Sequence, residues 1–174
     1  HLGQILELKP DENFSIDKEL LSAINSITDK ESLLVKTTYP GLDRLAGGLT
    51  KGEVTIIGGR PGHGKTTFMI NLLSRMIHSG LRIAFFSREL PNSELLKKLL
   101  TLESGKLSYG MVRKGIFEQA DLQELTYIKE KMQEWYSSEN FIMFDHIRDF
   151  QTTASEIRKF KPDVVFDDYL QLIA

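Results

Sequence analysis

One stretch of this sequence has the residue types and the spacing that bind phosphate. It matches the pattern G-x-x-x-x-G-K-[ST] over residues 59–66. Glycines let the backbone wrap closely, so that successive N–H groups point inward at phosphate oxygens. In such a loop the lysine reaches the β- and γ-phosphates, and the threonine hydroxyl takes one position on Mg²⁺. The residues predicted to bind a nucleotide are Gly59, Arg60, Pro61, Gly62, His63, Gly64, Lys65, Thr66 and Thr67.

The segments on either side of the loop supply the elements that it needs. Glu53–Ile57 is typical of a short buried strand, and Thr67–Ile77 is typical of a helix with one apolar face. A helix that starts directly after the loop turns the positive end of its dipole toward the phosphates. The alternative for the same residues is a glycine-rich turn between a strand and a helix that binds nothing.

Acidic residues at the ends of two predicted strands form the other part of the expected site. Residues 164–168 run from three apolar residues into Asp167 and Asp168. A phosphate-binding loop needs an acid there, because a carboxylate holds Mg²⁺ through its water shell opposite the threonine. Leu81–Ser87 is typical of a second strand, and Glu89 follows it at the edge where open α/β sheets bind ligands.

Helices and strands alternate along the rest of the chain. We expect helices over about 15–27, 42–45, 91–102 and 119–135, and a strand over 141–144. A further helix should be capped by Thr152 or Thr153 and stopped by Pro162, and residues 105–115 should form a loop-rich connector. This alternation indicates an α/β fold with a mainly parallel sheet flanked by helices.

Composition limits the classes of function. The chain has 174 residues, of which 41% are hydrophobic and 26% charged, as in a globular protein of one domain. A net charge of −2 gives no support for non-specific attraction to nucleic acids or membranes. The absence of cysteine excludes disulfides, thiolate metal sites and a cysteine nucleophile. No apolar run reaches transmembrane length and there is no signal-peptide pattern, so we expect a cytoplasmic protein without a membrane partner.

The helix predicted near the N-terminus is amphipathic. Leu20, Leu21, Ile24 and Ile27 fall at helical spacing and form one apolar stripe. Two placements are open: the helix folds onto its own domain, or it docks on a neighbouring subunit.

Several motifs together resemble the DnaB-type hexameric replicative helicases. From about Thr38 onward the matching runs are Gly41-Leu42-Asp43-Arg44-Leu45 with Gly47-Gly48-Leu49, the phosphate-binding loop, Phe85-Phe86-Ser87-Arg88-Glu89-Leu90-Pro91, and Asp168-Tyr169-Leu170-Gln171-Leu172-Ile173. RecA, KaiC and the phage primase-helicases match only the loop and looser equivalents. The resemblance implies a RecA-like ATPase domain over residues 38–174, preceded by a linker region with an amphipathic helix over residues 1–37.

The resemblance also implies a role for each matching residue, with ATP and Mg²⁺ as cofactors. Lys65 would contact phosphate, and Thr66 and Asp168 would hold Mg²⁺. Glu89 would orient the attacking water and Gln171 would sense the γ-phosphate. Two separate carboxylates suit phosphoryl transfer, since one serves the metal and the other serves the water.

Three residues depart from the family pattern. Arg88 stands where an apolar residue is usual, and it either pairs with Glu89 or points to solvent. Asp167 also replaces an apolar residue, and the two-residue alternation of a strand should turn it away from Asp168. His63 occupies a variable loop position and is not expected to be catalytic.

The function implied by the resemblance is an ATP-hydrolysing motor that moves on single-stranded DNA as a homo-hexamer, with primase and a helicase loader as further partners. In the family, the DNA-contacting loops, a basic residue given to the neighbour's ATP site, and one central strand would follow Ala174. Residues 1–174 alone are therefore expected to have little activity. Two alternatives are a RecA- or KaiC-like ATPase in recombination or regulation, and a nucleotide-gated assembly protein that does not move on DNA.

Overall fold

Three parallel strands form the main sheet of the protein. The computed structural model describes residues 15–28 and 34–168. The helices of this part are α1 Ile16–Thr28, α2 Pro40–Ala46, α3 Lys65–His78, α4 Asn92–Ser104, α5 Tyr109–Lys114, α6 Gln119–Ser137 and α7 Phe150–Phe160. Its strands are β1 Leu34–Val35, β2 Leu49–Thr50, β3 Ile83–Ser87, β4 Phe141–Phe144 and β5 Val164–Asp168.

The main sheet has the order β4-β3-β5, with both neighbours parallel to β3. Ile83 lies opposite Phe141 on one side and Val164 on the other, and Ser87 lies opposite Asp168. Every residue of β3 is buried. A central parallel strand covered on both faces is expected to be continuously apolar, which explains the composition of β3. The predicted α/β class with a parallel sheet is confirmed.

The apolar core lies on both faces of this sheet. On one face, side chains of α3 and α4 bury against the three strands, and Phe85 stacks on Phe166 with ring centroids 5.7 Å apart. On the other face, Phe86 packs with Ile147 beneath side chains of α7. Successive residues of β3 thus point to opposite layers, as the pleat of a strand requires.

A short antiparallel ribbon of β1 and β2 brackets α2. The N–H and the hydroxyl of the buried Thr37 both donate to Asp43 Oδ1 of α2, at 2.8 and 2.7 Å. Gly48 approaches the backbone so closely that an added Cβ would lie 2.7 Å from the carbonyl oxygen of Val35. The aspartate of the G-L-D-R-L run and the two glycines of the G-G-L run, Gly47 and Gly48, are therefore explained by the conformation and packing of this turn.

Residues 53–57 do not form the strand that their composition predicts. Val54 and Ile56 expose 82% and 78% of their surface, while Ile57 packs against the core. A strand is stabilised by the ladder of hydrogen bonds to a neighbouring strand. Within the part of the chain that the structure describes, no strand pairs with this segment.

Two other expectations about local structure are wrong. Residues 105–115 are not only a loop, because they contain α5, whose first turn is capped by the Ser108 hydroxyl accepting from the N–H of Met111 at 3.2 Å. The cap of α7 is Asp149, whose Oδ1 accepts from the N–H of Thr152 at 2.7 Å. Aspartate is as good an N-cap as threonine.

A buried carboxylate joins the three helices on one face of the sheet. Glu103 of α4 accepts hydrogen bonds from Ser74 and His78 of α3 and from Lys131 of α6. Its side chain is only 4% exposed. Burial raises the pKa of the Glu103 carboxyl, but the three hydrogen bonds outweigh it and hold the pKa below its ordinary value of 4.5.

Glu103→Gln is expected to lower the free energy of unfolding by about 2 kcal/mol at pH 7, because it weakens charge-assisted hydrogen bonds. Since the folded-state pKa is lowered, this contribution is fully present above the unfolded pKa and is lost as pH falls through the folded pKa. Urea unfolding from pH 7 to pH 3 should show the difference from wild type shrinking below pH 4.5. Glu130→Gln, on the exposed side of α6, should have little effect, and equal losses in both variants would contradict the prediction.

Candidate active site

The loop between residues 58 and 64 has the backbone that its glycines predict. Gly62 and Gly64 have φ values of 77° and 81°, a left-handed conformation that strains other residues. Gly64 is the N-cap of α3, which therefore begins at Lys65 itself. The free N–H groups of the first turn of α3 point out of the helix N-terminus, which is the arrangement that binds anions.

Lys65 lies along the loop. Its Nζ donates to the carbonyl oxygens of Gly59 and Arg60 at 3.1 and 3.4 Å. An added Cβ on Gly59 would lie 3.4 Å from Lys65 Cγ, so the first glycine of the motif leaves room for the lysine stem. The Lys65 side chain thus packs against the loop.

Thr66 and Asp168 are brought together from positions 102 residues apart. The Thr66 hydroxyl donates to Asp168 Oδ2 at 2.8 Å, and Asp168 is buried. Asp168 reaches this position because β5 lies beside β3 with its carboxyl end toward the loop. The predicted threonine and carboxylate therefore face the same point in space.

Glu89 is exposed on the turn that follows β3. The backbone N–H groups of Arg88 and Glu89 both donate to the carbonyl oxygen of Asp168, at 2.6 and 3.3 Å. The Ser87 hydroxyl donates to the carbonyl oxygen of Leu90 and closes the turn. Glu89, the candidate base, and Asp168, the candidate metal ligand, are consequently held at the ends of two strands that hydrogen-bond to each other.

Lys65, Thr66 and Glu89 line one pocket of about 330 Å³. It is lined by Pro61, Gly62, Gly64, Lys65, Thr66, Thr67, Glu89, Leu90 and Lys98. Of the predicted nucleotide-binding residues, Gly59, Arg60 and His63 do not line it. Asp168 does not line it either, but accepts a hydrogen bond from Thr66, which does. Gln171 lies outside the described residues.

Lys98 is a pocket residue that sequence reasoning missed. It lies on α4, and its Nζ is 4.3 Å from the centre of the Tyr109 ring. The neighbouring Lys97 instead pairs with Glu94 at 2.7 Å. The two lysines are adjacent in a leucine-rich helix, so only the direction of α4 relative to the loop distinguishes them.

Arg88 neither pairs with Glu89 nor points to solvent, and both expectations are corrected by the structure. Its guanidinium is fully buried and forms a two-pronged ion pair with Asp167, at 2.6 and 2.7 Å. The expectation that Asp167 turns away from Asp168 is confirmed, since one carboxylate faces Arg88 and the other faces Thr66. The physical reason is the alternation of side chains along β5.

No helix in residues 15–28 or 34–168 combines the length and the apolar content needed to cross a membrane.

Residues 35–174 match the model of the DnaB-like helicase C terminal domain. The Replicative DNA helicase DnaB of Treponema pallidum is 31% identical over 162 residues, which are 89% of this chain and 36% of that protein. That of Helicobacter pylori is 27% identical and covers 94% of this chain. The chain thus spans about a third of the length of these relatives.

Two solved structures share the fold. The ATPase domain of G40P superposes with a TM-score of 0.74 at 23% identity, covering 94% of this chain and 60% of that one. A DnaB-like replicative helicase, studied for its interactions with primase, superposes with a TM-score of 0.73 at 23% identity, covering 94% and 41%. The RecA-like ATPase architecture is therefore shared. The shared fold and the match over residues 35–174 show that this chain belongs to the DnaB-like helicase C-terminal domain family.

Proposed function

We propose that this chain is the ATP-binding and ATP-hydrolysing motor domain of a replicative DNA helicase. One observation supports the proposal: Thr66 and Asp168, which are 102 residues apart in the sequence, meet at 2.8 Å beside a loop of phosphate-binding pattern that shares a pocket with Glu89. A loop that served only as a turn would not require a buried carboxylate at its threonine.

The phosphates would lie against the N-terminus of α3. Lys65 would place its charge on the β- and γ-phosphates, and the N–H groups of the loop would donate to their oxygens. Lys98, which lines the same pocket, adds a second positive charge. This concentration of donors and cations suits a highly charged triphosphate.

The oxygens of Thr66 and Asp168 fit Mg²⁺. This ion is usually bound by one or two carboxylates together with water and substrate phosphates, rather than by a cage of protein ligands. Bound Mg²⁺ would neutralise charge on the β- and γ-phosphate oxygens.

Glu89 would act as the base. It is exposed in the pocket, and its backbone is tied to the carbonyl oxygen of Asp168. A carboxylate in this position can accept a hydrogen bond from water and orient it in line with the γ-phosphate. Gln171, as the family resemblance implies, would contact the γ-phosphate.

Helix α1 is proposed to dock on a second copy of the chain in a hexamer. Its described apolar side chains are exposed, with Leu20 at 55% and Leu21 at 61%. An apolar stripe of this kind is stabilised only when a partner covers it. Light scattering tests this assembly, since the mass of a single chain would contradict it. The whole protein would be cytoplasmic, and its further partners would be single-stranded DNA, primase and a helicase loader.

The proposed function is tested by measuring ATP hydrolysis by the full-length protein with and without single-stranded DNA, followed by unwinding of a forked duplex. We expect hydrolysis that single-stranded DNA accelerates, and unwinding that requires ATP. Hydrolysis that DNA leaves unchanged, without unwinding, would favour a regulatory ATPase. Binding of ATP without hydrolysis would favour an assembly protein.

A further inference from the structure

The buried side chain of Arg88 has no role in the proposed chemistry, yet it is the most extensively hydrogen-bonded cation in the described residues. Its Nε and Nη2 bind the two oxygens of Asp167 at 2.6 and 2.7 Å. Its Nη1 donates to the carbonyl oxygen of Ile147 at 2.8 Å, and Nη2 also donates to the Thr153 hydroxyl at 3.1 Å. The guanidinium therefore connects β3 to β5, to the segment after β4, and to α7.

The two members of this ion pair each precede a residue of the candidate active site. Arg88 is followed by Glu89, and Asp167 is followed by Asp168. Because side chains alternate along a strand, the ion pair lies on the face of the sheet opposite the pocket. Arg88 and Asp167, which both replace apolar residues of the family pattern, thus contact each other.

A guanidinium is suited to fix geometry in this position. It is planar and binds a carboxylate through two parallel hydrogen bonds, which set both distance and orientation. The Arg88 guanidinium is fully buried and the Asp167 side chain is 19% exposed, so the two groups need each other, since removal of either leaves a poorly solvated charge without a partner. The backbone hydrogen bonds from residues 88 and 89 to Asp168 lie directly beside this ion pair.

We propose that Arg88 is a positioning residue that acts through Asp167: the ion pair holds the turn that carries Glu89 against the strand end that carries Asp168. The proposal rests on the proposed function, because it assigns the ion pair a role in the geometry of that site. Arg88 itself does not touch the nucleotide, since its guanidinium faces the other side of the sheet.

The test is a double-mutant cycle in the full-length protein with Arg88→Met, Asp167→Leu and the two combined. Each single variant should lower kcat by about ten- to a hundredfold, since misplacement of a catalytic group is costly. The Kd of Mg²⁺–ADP should stay within about threefold of wild type, because the loop is untouched. Arg82→Met, directly before the first residue of β3, is the matched control and should change neither value.

The double variant distinguishes action through Asp167 from an independent role of Arg88. An apolar pair can join the strand ends without leaving an unpaired charge, so the double variant should recover most of kcat. Additive losses in the double variant would overturn the proposal. So would normal kcat in Arg88→Met, or a loss of Mg²⁺–ADP affinity in parallel with kcat, which would indicate general collapse of the site.

Hydrogen exchange separates failure of this proposal from failure of the proposed function. The amide protons of Arg88 and Glu89, which both donate to Asp168, should exchange about tenfold faster or more in Arg88→Met, while those of Ala84 and Phe85 should not. This readout needs no turnover. A wild-type protein that hydrolyses no ATP would refute the proposed function, whereas unchanged exchange at residues 88 and 89 would refute the positioning role.

Discussion

Lys65→Ala in the full-length protein should weaken the binding of Mg²⁺–ATP by about a hundredfold or more, which corresponds to about 3 kcal/mol. The substitution removes the cation that lies along the loop and leaves the charge of the phosphates uncompensated. The loop backbone should survive, because Gly62 and Gly64 set its conformation. Isothermal titration with ADP and with a non-hydrolysable ATP analogue measures the loss.

Lys159→Ala is the matched control for this variant. Lys159 lies exposed on α7 and pairs with Glu156 at 3.3 Å, so its loss should leave nucleotide affinity unchanged. If Lys65→Ala bound nucleotide as wild type does, the phosphates would not lie in this loop and the site would be assigned wrongly.

Glu89→Gln should have the opposite profile, with nucleotide affinity retained and hydrolysis lowered by about 10²–10⁴-fold. Glutamine has nearly the same shape but cannot accept a proton, so only the step that needs the base is affected. Single-turnover hydrolysis measures that step separately from product release. Affinity for Mg²⁺–ATP, measured alongside, should stay close to the wild-type value.

The control for Glu89→Gln is Glu139→Gln. The side chain of Glu139 is 82% exposed and lies 4.0 Å from Arg82, remote from the pocket. Its loss should affect neither affinity nor turnover. Near-normal hydrolysis by Glu89→Gln would mean that another group orients the water.

The elements that hold the site were largely predictable because their signals are local. The glycines of the loop, the apolar face of α3 and the run of apolar residues ending at Asp168 each specify their own conformation. β3 was predicted within two residues of its observed start, since the first four residues of this fully buried strand are apolar. The parallel arrangement then brings Glu89 and Asp168 to one edge without further information.

The incorrect predictions have a different cause. Each concerns a residue whose structure depends on a distant partner or on a choice between two equally suitable neighbouring residues. Val54 and Ile56 have strand composition, but a strand exists only when another strand pairs with it. Asp149 and Thr152 are both good N-caps, so composition alone could not choose between them. The partner of Arg88 lies 79 residues away, and no local pattern points to it.

Lys65, Thr66, Glu89 and Asp168 are proposed to form one metal–nucleotide site. A crystal structure of the full-length protein with a non-hydrolysable ATP analogue and Mn²⁺ in place of Mg²⁺ tests it most directly, since anomalous scattering locates Mn²⁺ independently of the nucleotide. We predict the metal beside Thr66 Oγ1 on the side of Asp168, the phosphates along the loop, and Glu89 facing the γ-phosphate. Phosphates and metal bound elsewhere, with the pocket empty, would contradict this assignment of the site.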